Sequence, residues 1–372
     1  MPLRPVVFYI SGHGFGHASR QVEVINALGL ARPDLPLVLR SSVNADLLAR
    51  TMRVPYELIP GECDTGVVQS SSLAHDDDAT FRQAIAFQAS MPARIDAELR
   101  TLTSAPALIV GDIPPLAFEV AERMGVRSLA IGNFTWDWIY EGFSELTASA
   151  PDLVPAIQAA YKKASRALEL PLAGGFEVFP NSERIPLIAR HPTRSREDTR
   201  RRFGVPLDRP AALLSFGGYG LPALDLTSLD CLRDWTIVTT DRSAASNGPL
   251  PSEVVLLLER EFFATGFRYE DLVAAVDVVV TKPGYGITAE CITGQTSMLY
   301  TSRGHFREYD LLVREVPRFV RSRFISQADL FAGRLTSSLD ALMTQPQPAE
   351  TLPTNGAEIV AGTILRMADA GR

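Results

Sequence analysis

The sequence predicts an α/β protein of two doubly wound parallel-sheet domains facing across a cleft. Short β-branched runs alternate with amphipathic stretches from end to end, the pattern of βαβ units with helices on both faces of a parallel sheet. The rhythm runs through once and restarts after residue 185. The length of 372 residues also suits two domains of about 100–200 residues, each with its own core.

The elements follow in order. Pro5 to Ile10 (PVVFYI) reads as a buried strand, and Ala18 to Leu30 as a helix with Val22, Ile25 and Leu28 on one face. Leu37 to Leu39 is a strand and Ala45 to Arg50 a helix. Ala107 to Val110 and Ser128 to Ile131 are strands separated by the helical stretch Leu116 to Met124. The second set of strands is Ala211 to Ser215, Thr236 to Thr239, Val276 to Val280 and Ser297 to Tyr300. Between the sets, Ile188 to Arg202 carries Arg190, Arg194, Arg196, Arg200, Arg201 and Arg202. Glu197 and Asp198 interrupt this basic run, which reads as a solvated linker and first helix, with phosphate binding as the alternative. Glu358 to Met367 has helical spacing and predicts a closing helix. The expected division is a Rossmann-like domain over 1–187, a second over 188–352, and a C-terminal helix within 353–372 that packs back towards the first.

A formal charge of −7, from 43 acidic and 36 basic residues, argues against a general binder of nucleic acid or anionic membrane. Cys63, Cys231 and Cys291 lie far apart, without a CxxC pair, which excludes a disulfide framework and fits a reducing cytoplasm. The apolar run near the N-terminus stops at polar glycines, unlike a signal peptide. No run of about 18 apolar residues occurs, so no spanning helix is expected. A cytoplasmic monomer or homodimer is the resulting expectation.

Ligands of open parallel sheets bind beyond the carboxyl ends of the strands, so the strand-to-helix loops carry the chemistry. The first, Ser11-Gly12-His13-Gly14-Phe15-Gly16-His17-Ala18-Ser19-Arg20, spaces its glycines G-x-G-x-G. A dinucleotide fingerprint needs G-x-G-x-x-G, and an acid for the ribose where this chain has Arg40-Ser41-Ser42. Two of the five histidines, His13 and His17, sit in this loop. A histidine at a cleft mouth suits a general base that takes a hydroxyl proton; bonding to the loop backbone is the structural alternative. Asp112 ends a strand on the same side and is placed to orient a histidine, act as base, or cap a helix.

In the second half, Ser215-Phe216-Gly217-Gly218-Tyr219-Gly220 is a glycine turn suited to phosphate oxygens. Thr281-Lys282-Pro283-Gly284-Tyr285-Gly286 opens a helix whose N-terminus has room for a diphosphate. Glu290, about one and a half turns later, is placed to accept two hydrogen bonds from vicinal ribose hydroxyls; an ordinary surface acid is the alternative. Gly304-His305-Phe306-Arg307-Glu308 is dense in groups able to hold sugar hydroxyls. No G-x-x-x-x-G-K-[ST] loop occurs. Trp136, Asp137, Trp138 and Tyr140 combine aromatic faces with a carboxylate, as sugar recognition requires and as a packed aromatic cluster also does. His75-Asp76-Asp77-Asp78 imitates an acidic metal motif and reads as the cap of a helix starting near Thr80.

Taken together, SGHGFGHASR at 11–20, CDTGVVQ at 63–69, GDIPP at 111–115, NFTWDWIY at 133–140, SFGG at 215–218 and TKPGYGITAEC at 281–291 resemble glycosyltransferases of the GT-B architecture. The likeness is to the branch with the MurG-type N-acetylglucosaminyltransferases, and in particular to the glycosyltransferase-like N-terminal domain of plant L-arabinokinases. The resemblance implies a nucleotide-sugar donor held by the C-terminal domain and a small-molecule acceptor held by the N-terminal one. Ser215, Gly217, Gly218, Lys282, Gly284, Tyr285, Gly286, Glu290, His305 and Glu308 then form the donor site, with Glu290 on the ribose and the glycines along the diphosphate. Glu308 falls where related enzymes contact the donor sugar, usually through Gln. His17 aligns with the N-terminal-loop histidine, which makes it the first choice for base, with His13 and Asp112 next. Gly14, Phe15, Trp136, Asp137 and Trp138 are the expected acceptor contacts.

The expected activity is therefore inverting sugar transfer to a soluble small molecule, with no cofactor beyond the nucleotide-sugar co-substrate and no metal. The chain ends soon after its second α/β unit, so no sugar-kinase activity is expected. Two other classes share these features: a non-transferring relative (a nucleotide-sugar epimerase, hydrolase or sensor) and an NAD(P)-dependent Rossmann enzyme.

Overall fold

The computed structural model of the chain describes residues 3–13, 15–217, 220–245, 249–304 and 306–370, apart from the side chains of Phe15, Ala244 and Ala245. Its strands are β1 (Val6–Ile10), β2 (Leu37–Ser41), β3 (Glu57–Pro60), β4 (Leu108–Asp112), β5 (Ser128–Phe134), β6 (Arg166–Gly174), β7 (Ser182–Arg184), β8 (Ala211–Ser215), β9 (Thr236–Thr239), β10 (Val254–Leu256), β11 (Val278–Thr281), β12 (Ser297–Tyr300) and β13 (Ser322–Phe324). The helices that position the site are α1 (Phe15–Ala31), α2 (Asp77–Ala89), α3 (Met91–Thr101), α4 (Pro115–Met124), α5 (Trp136–Glu141), α6 (Arg196–Phe203), α7 (Tyr269–Ala275), α8 (Tyr285–Gly294), α9 (Arg307–Glu315) and α10 (Gly356–Asp369).

The strands form two sheets, ordered β3-β2-β1-β4-β5-β6-β7 and β10-β9-β8-β11-β12-β13, and every pairing is parallel. All residues of β1, β2 and β4 are buried, because helices cover both faces of a parallel sheet and select continuous apolar runs. One face of the first sheet packs Phe8, Val110 and Leu129 against Val22 and Ile25 of α1 and Val360 and Ile364 of α10. The opposite face packs Val7 and Ile109 against Phe87, Ile95 and Val120 of α2, α3 and α4. The C-terminal helix thus returns from beyond the second sheet to cover the first.

Each sheet reverses its strand order once, at β1/β4 in the first and at β8/β11 in the second. A crevice opens at such a point because the connections on its two sides run to opposite faces. In register, Ile10 lies beside Asp112 at the first crevice, and Ser215 beside Thr281 at the second. The loops singled out from sequence therefore leave from the two crevices.

Two local expectations change. The strand expected over Val276 to Val280 starts at Val278, because Val276 ends α7. Asp277 is spent on holding the Ala211 N–H at 2.8 Å and the Arg200 guanidinium at 2.7 Å. The solvated reading of the arginine run also fails at Arg200. That side chain is 3% exposed and donates to the carbonyls of Ala275, Pro206 and Arg209, so it clamps α6 to the second sheet.

Candidate active site

β1 delivers the chain into the glycine loop, and α1 begins at Phe15, so His17, Arg20 and Gln21 project from its first turns towards the end of β4. Asp112 is buried there. It accepts from His17 Nδ1 at 2.9 Å, from Arg20 Nε and Nη2 at 3.0 and 2.6 Å, and from Gln21 Nε2 at 3.1 Å. Arg20 also donates to Asn133 Oδ1 at 2.6 Å. Burial opposes the charge on Asp112, but Arg20 and His17 outweigh it and hold the carboxyl down at about 2. A permanently ionised acceptor at Nδ1 keeps the proton on that nitrogen and leaves Nε2 as the basic one. The ring is fixed further by edge contact with Phe134, centroids 5.4 Å apart, and by Trp136 at 6.0 Å.

The residue after Asp112 carries strain. Ile113 has φ 59, a region that β-branched residues avoid. Its side chain is fully buried and its carbonyl accepts from Tyr161 Oη at 2.8 Å, which hold the turn in place. Such strain is concentrated where surroundings over-determine a functional geometry.

His13 belongs to a second buried network. Its Nε2 donates to the Asp64 carbonyl at 3.0 Å and lies 3.5 Å from the Asp64 carboxylate. That carboxylate accepts from Ser11 Oγ at 2.9 Å and Trp136 Nε1 at 2.8 Å, and burial raises its pKa. Gly66 packs beneath the imidazole with φ +59, where a Cβ would stand 2.5 Å from the ring. His13 is thus tied to backbone through one nitrogen, and the structure separates its role from that of His17.

The N-termini of α1 and α8 converge from the two domains, so closely that a Cβ on Gly286 would stand 3.9 Å from Gly16 Cα. Neither helix has an acidic residue in its first turn. Each helix start is equivalent to about half a positive charge with unsatisfied N–H groups, so together they form a site for an anion. Tyr285, at the start of α8, stacks on Phe134 of the other domain at 5.8 Å, and its buried hydroxyl has no hydrogen-bond partner among the described residues. Beside this point a groove of about 390 Å³, open to solvent, is lined by Arg20, Asn133, Arg190, Tyr285, Gly286 and Glu290. Glu290 is buried within it and ion-paired with Arg190, which also faces Glu270 at 3.4 Å. Burial raises the pKa of Glu270 despite that arginine.

On the other side of the α8 start, Arg303 donates to Glu308 Oε1 at 2.6 Å and to the Pro283 carbonyl at 3.2 Å. Glu308 is buried, which raises its pKa although Arg303, His17 and Lys282 all pull it down. Lys282 Nζ donates to Gln69 Oε1 at 3.3 Å across the cleft. Burial and the nearby Arg303 lower Lys282 to about 8. Gln69 belongs to a segment of the first domain that crosses to the second. In that segment Ser72 Oγ lies 2.9 and 2.7 Å from the carbonyls of Phe216 and Gly220, and Leu73 enters the second domain's core.

The structure thus brings His17, Asp112, Gly284, Tyr285, Gly286, Glu290, Lys282 and Glu308 to one cleft. Gly217, just past β8, has φ +72, and no described residue beyond its chain neighbours lies within 4 Å of a Cβ position there. Several expectations are corrected. Trp136 and Asp137 are each 3% exposed: Trp136 stacks on Tyr140 at 5.8 Å and braces Asp64, so it packs under the histidines without facing an acceptor. Trp138 is covered by the Arg307 guanidinium at 4.7 Å and backed by Gly174 and Gly175. The Ser215 hydroxyl already bonds Tyr269 Oη at 2.5 Å. Glu290 is no surface acid. Asp76 caps α2 by accepting from Ala79 N at 2.8 Å, as expected of the acidic run, although the helix starts at Asp77 and not near Thr80. Gly14, Gly218, His305 and the Phe15 side chain lie outside the described residues.

Arg20, Asp64, Arg190 and Arg303 were not singled out for the site. Arg20 stood next to the histidines, three residues after His17, at the spacing of one helix turn. Nothing local distinguishes the other three, whose partners come from distant segments.

No protein-family model matches the sequence. The chain is 26% identical over 363 residues to L-arabinokinase of Arabidopsis thaliana; the match covers 95% of this chain and 33% of that protein. The chain therefore spans about a third of the length of the curated relative it matches. Among solved structures, the calicheamicin glycosyltransferase CalG4 superposes with a TM-score of 0.60 at 16% identity, covering 100% of this chain and 95% of that one. The glycosyltransferase VinC in complex with dTDP gives 0.57 at 17% identity, over 98% and 95% of the two chains. UGT89C1 of Arabidopsis thaliana complexed with UDP gives 0.58 at 12% identity, over 99% and 94%. With two parallel sheets, each with one switch point, the chain has the GT-B fold of these glycosyltransferases.

Proposed function

We propose that the chain transfers a sugar from a nucleoside diphosphate to a hydroxyl of a soluble small molecule, with inversion and without a metal. The observation that carries the reading is the meeting of the α1 and α8 N-termini between the His17–Asp112 pair and Glu290. An anion held there has a base on one side and a buried carboxylate for ribose hydroxyls on the other.

In this reading His17 Nε2 takes the acceptor hydroxyl proton while that oxygen attacks the anomeric carbon. The bond from that carbon to the phosphate oxygen breaks, and the nucleoside diphosphate leaves with its electron pair. The two helix N-termini stabilise the growing negative charge without reorganisation. Attack from the His17 side, opposite the phosphate, inverts the anomeric centre. Asp112 and Arg20 keep His17 in the tautomer that can accept the proton. The carboxylate that a dinucleotide site would need at the end of β2 is replaced by Arg40, buried against Glu98 and the carbonyls of Ile59 and Pro60. No helix among the described residues is long and apolar enough to cross a membrane, and the buried free thiols of Cys63, Cys231 and Cys291 fit a reducing compartment such as the cytoplasm.

The test is a thermal-shift panel of UDP-, dTDP-, GDP- and ADP-sugars beside NAD(H) and NADP(H). Stabilisation by at least one nucleotide sugar is expected, and stabilisation by the nicotinamide cofactors alone refutes the reading. With the binding donor in hand, nucleoside diphosphate release that depends on acceptor, survives EDTA and is abolished in His17→Ala completes the case. Acceptor-independent release of free sugar would assign a hydrolase instead.

A further inference from the structure

The pocket on the far side of Lys282 shares no lining residue with the Glu290 groove. The turn 282–286 gives Lys282 to the pocket and Tyr285 and Gly286 to the groove. A donor with its ribose at Glu290 and its diphosphate over the start of α8 therefore directs its sugar into this pocket. The inference below rests on that reading of the site.

The pocket is a narrow, solvent-open cleft, and Gln69, His75, Lys282, Arg303 and Phe306 are among its walls. Among the described residues its charges do not balance: Lys282 and Arg303 supply two cations, and Glu308, which faces both, supplies one carboxylate. Arg303 already holds that carboxylate and lies over the Phe306 ring at 4.4 Å. Lys282 is left with the neutral amide oxygen of Gln69 at 3.3 Å. On the opposite wall His75 faces Asp77 at 3.2 Å, an acid half exposed to solvent and turned to its own element. A buried ammonium matched only by an amide is costly, and the low Lys282 value of about 8 reflects that cost. The hydroxyls of a neutral sugar would leave the imbalance in place; a carboxylate would remove it.

We propose that the transferred sugar is acidic, a nucleotide-linked uronic acid or its like, whose carboxylate displaces the Gln69 amide and pairs with Lys282 beside Arg303. The C6 carboxylate of such a sugar is not a reacting group, so this pairing sets specificity and leaves the chemistry at the anomeric carbon unchanged.

The experiment compares the glucuronate and glucose esters of whichever of UDP, dTDP, GDP and ADP binds, by titration calorimetry at pH 7. The glucuronate is expected to bind about tenfold to a hundredfold tighter, the range of a charge-assisted hydrogen bond. Lys282→Gln should erase that ratio with the parent diphosphate affected less than threefold, and Lys282→Arg should retain most of it. A melting curve for each variant establishes that it folds. Equal affinity for the two esters overturns the proposal, and so does equal weakening of both esters and the diphosphate by Lys282→Gln, which would assign Lys282 to the diphosphate. In either case the transferase reading stands. Binding of none of the four diphosphates would remove that reading and this proposal together.

Discussion

Asp112→Asn is the most informative single change, because the structure specifies both its thermodynamic and its kinetic consequence. The carboxylate is buried and takes hydrogen bonds from His17, Arg20 and Gln21. Its pKa falls from 3.8 to about 2, a gap worth about 2.5 kcal/mol of stability at neutral pH. A depressed folded-state pKa gives stabilisation that is complete above the unfolded value and is lost as pH falls through the folded one. The window for that loss is therefore about pH 4 to 2. Asparagine keeps the size and part of the hydrogen bonding but not the charge, so the expected loss is near that figure, somewhat under the ~3–5 kcal/mol of breaking a buried pair outright. The kinetic effect is separate. Without a fixed anion at Nδ1, His17 no longer holds its proton there, and turnover should fall about 10²–10⁴-fold, the usual range for a general base. Urea denaturation of both proteins from pH 7 down to 3, with donor turnover at pH 7, measures both. Equal stability at pH 7, or a stability gap that stays constant as pH falls below 4, would refute the assignment of the charge. Unchanged turnover would refute Asp112 as the group that orients the base.

Four further outcomes follow from the same geometry. Gly66→Ala forces a Cβ onto a positive φ and into the His13 ring, and should cost about 1–3 kcal/mol in urea denaturation, with a shifted His13 ring resonance in NMR. Arg190→Ala leaves Glu290 buried without its counterion and Glu270 with Arg268 alone and should cost about 3–5 kcal/mol, whereas Glu290→Gln should leave stability closer to wild type and chiefly weaken nucleotide binding in calorimetry. Leu73→Ala removes a side chain that the first domain inserts into the core of the second, so a loss of about 2–3 kcal/mol should accompany a larger radius of gyration in solution scattering. Lys282, lowered to about 8 with Arg303 and Glu308 as its charged neighbours, binds an anion only while protonated, so calorimetric affinity for the donor should decline as pH rises through 8, and Lys282→Arg should flatten the decline.

Legibility in the sequence follows the range of the interactions. The strand–glycine–helix loops at 11–20 and 281–290 were readable because each is a local unit: an apolar run, a turn that needs glycine, and a helix start. Joining them into one site required only the rule that parallel sheets bind ligands at their carboxyl ends. Burial of polar groups was not readable. Trp136 and Asp137 stand in a pattern that suits a sugar surface as well as a core, and the core is fixed by Asp64, 72 residues away from Trp136. Arg200 sits in a run that looks solvated, yet Asp277, 77 residues on, draws it under the sheet. Arg190 is the same case, since its Glu290 partner is 100 residues downstream and only folding brings the two together. The crossing segment around Ser72 and Leu73 has no composition that marks it, because its partners are carbonyls of a distant turn.

The division of labour between the two domains follows from where the proposed reaction puts charge. Sugar transfer from a diphosphate generates a proton at the acceptor and negative charge at the leaving phosphate, and the two must be received at opposite ends of the breaking and forming bonds. The first domain meets the proton with a histidine whose rear nitrogen is held by an anion, and that anion is itself held by Arg20. The second domain meets the negative charge with the start of α8, and α1 contributes its own N-terminus from the first domain across the same gap. Opening the domains by even a few ångströms would separate the helix starts and weaken that field, since its effect fades within one helix turn. In the proposed reaction closure is therefore part of the chemistry, and the contacts of Gln69, Ser72 and Leu73 with the second domain hold the two helix starts together.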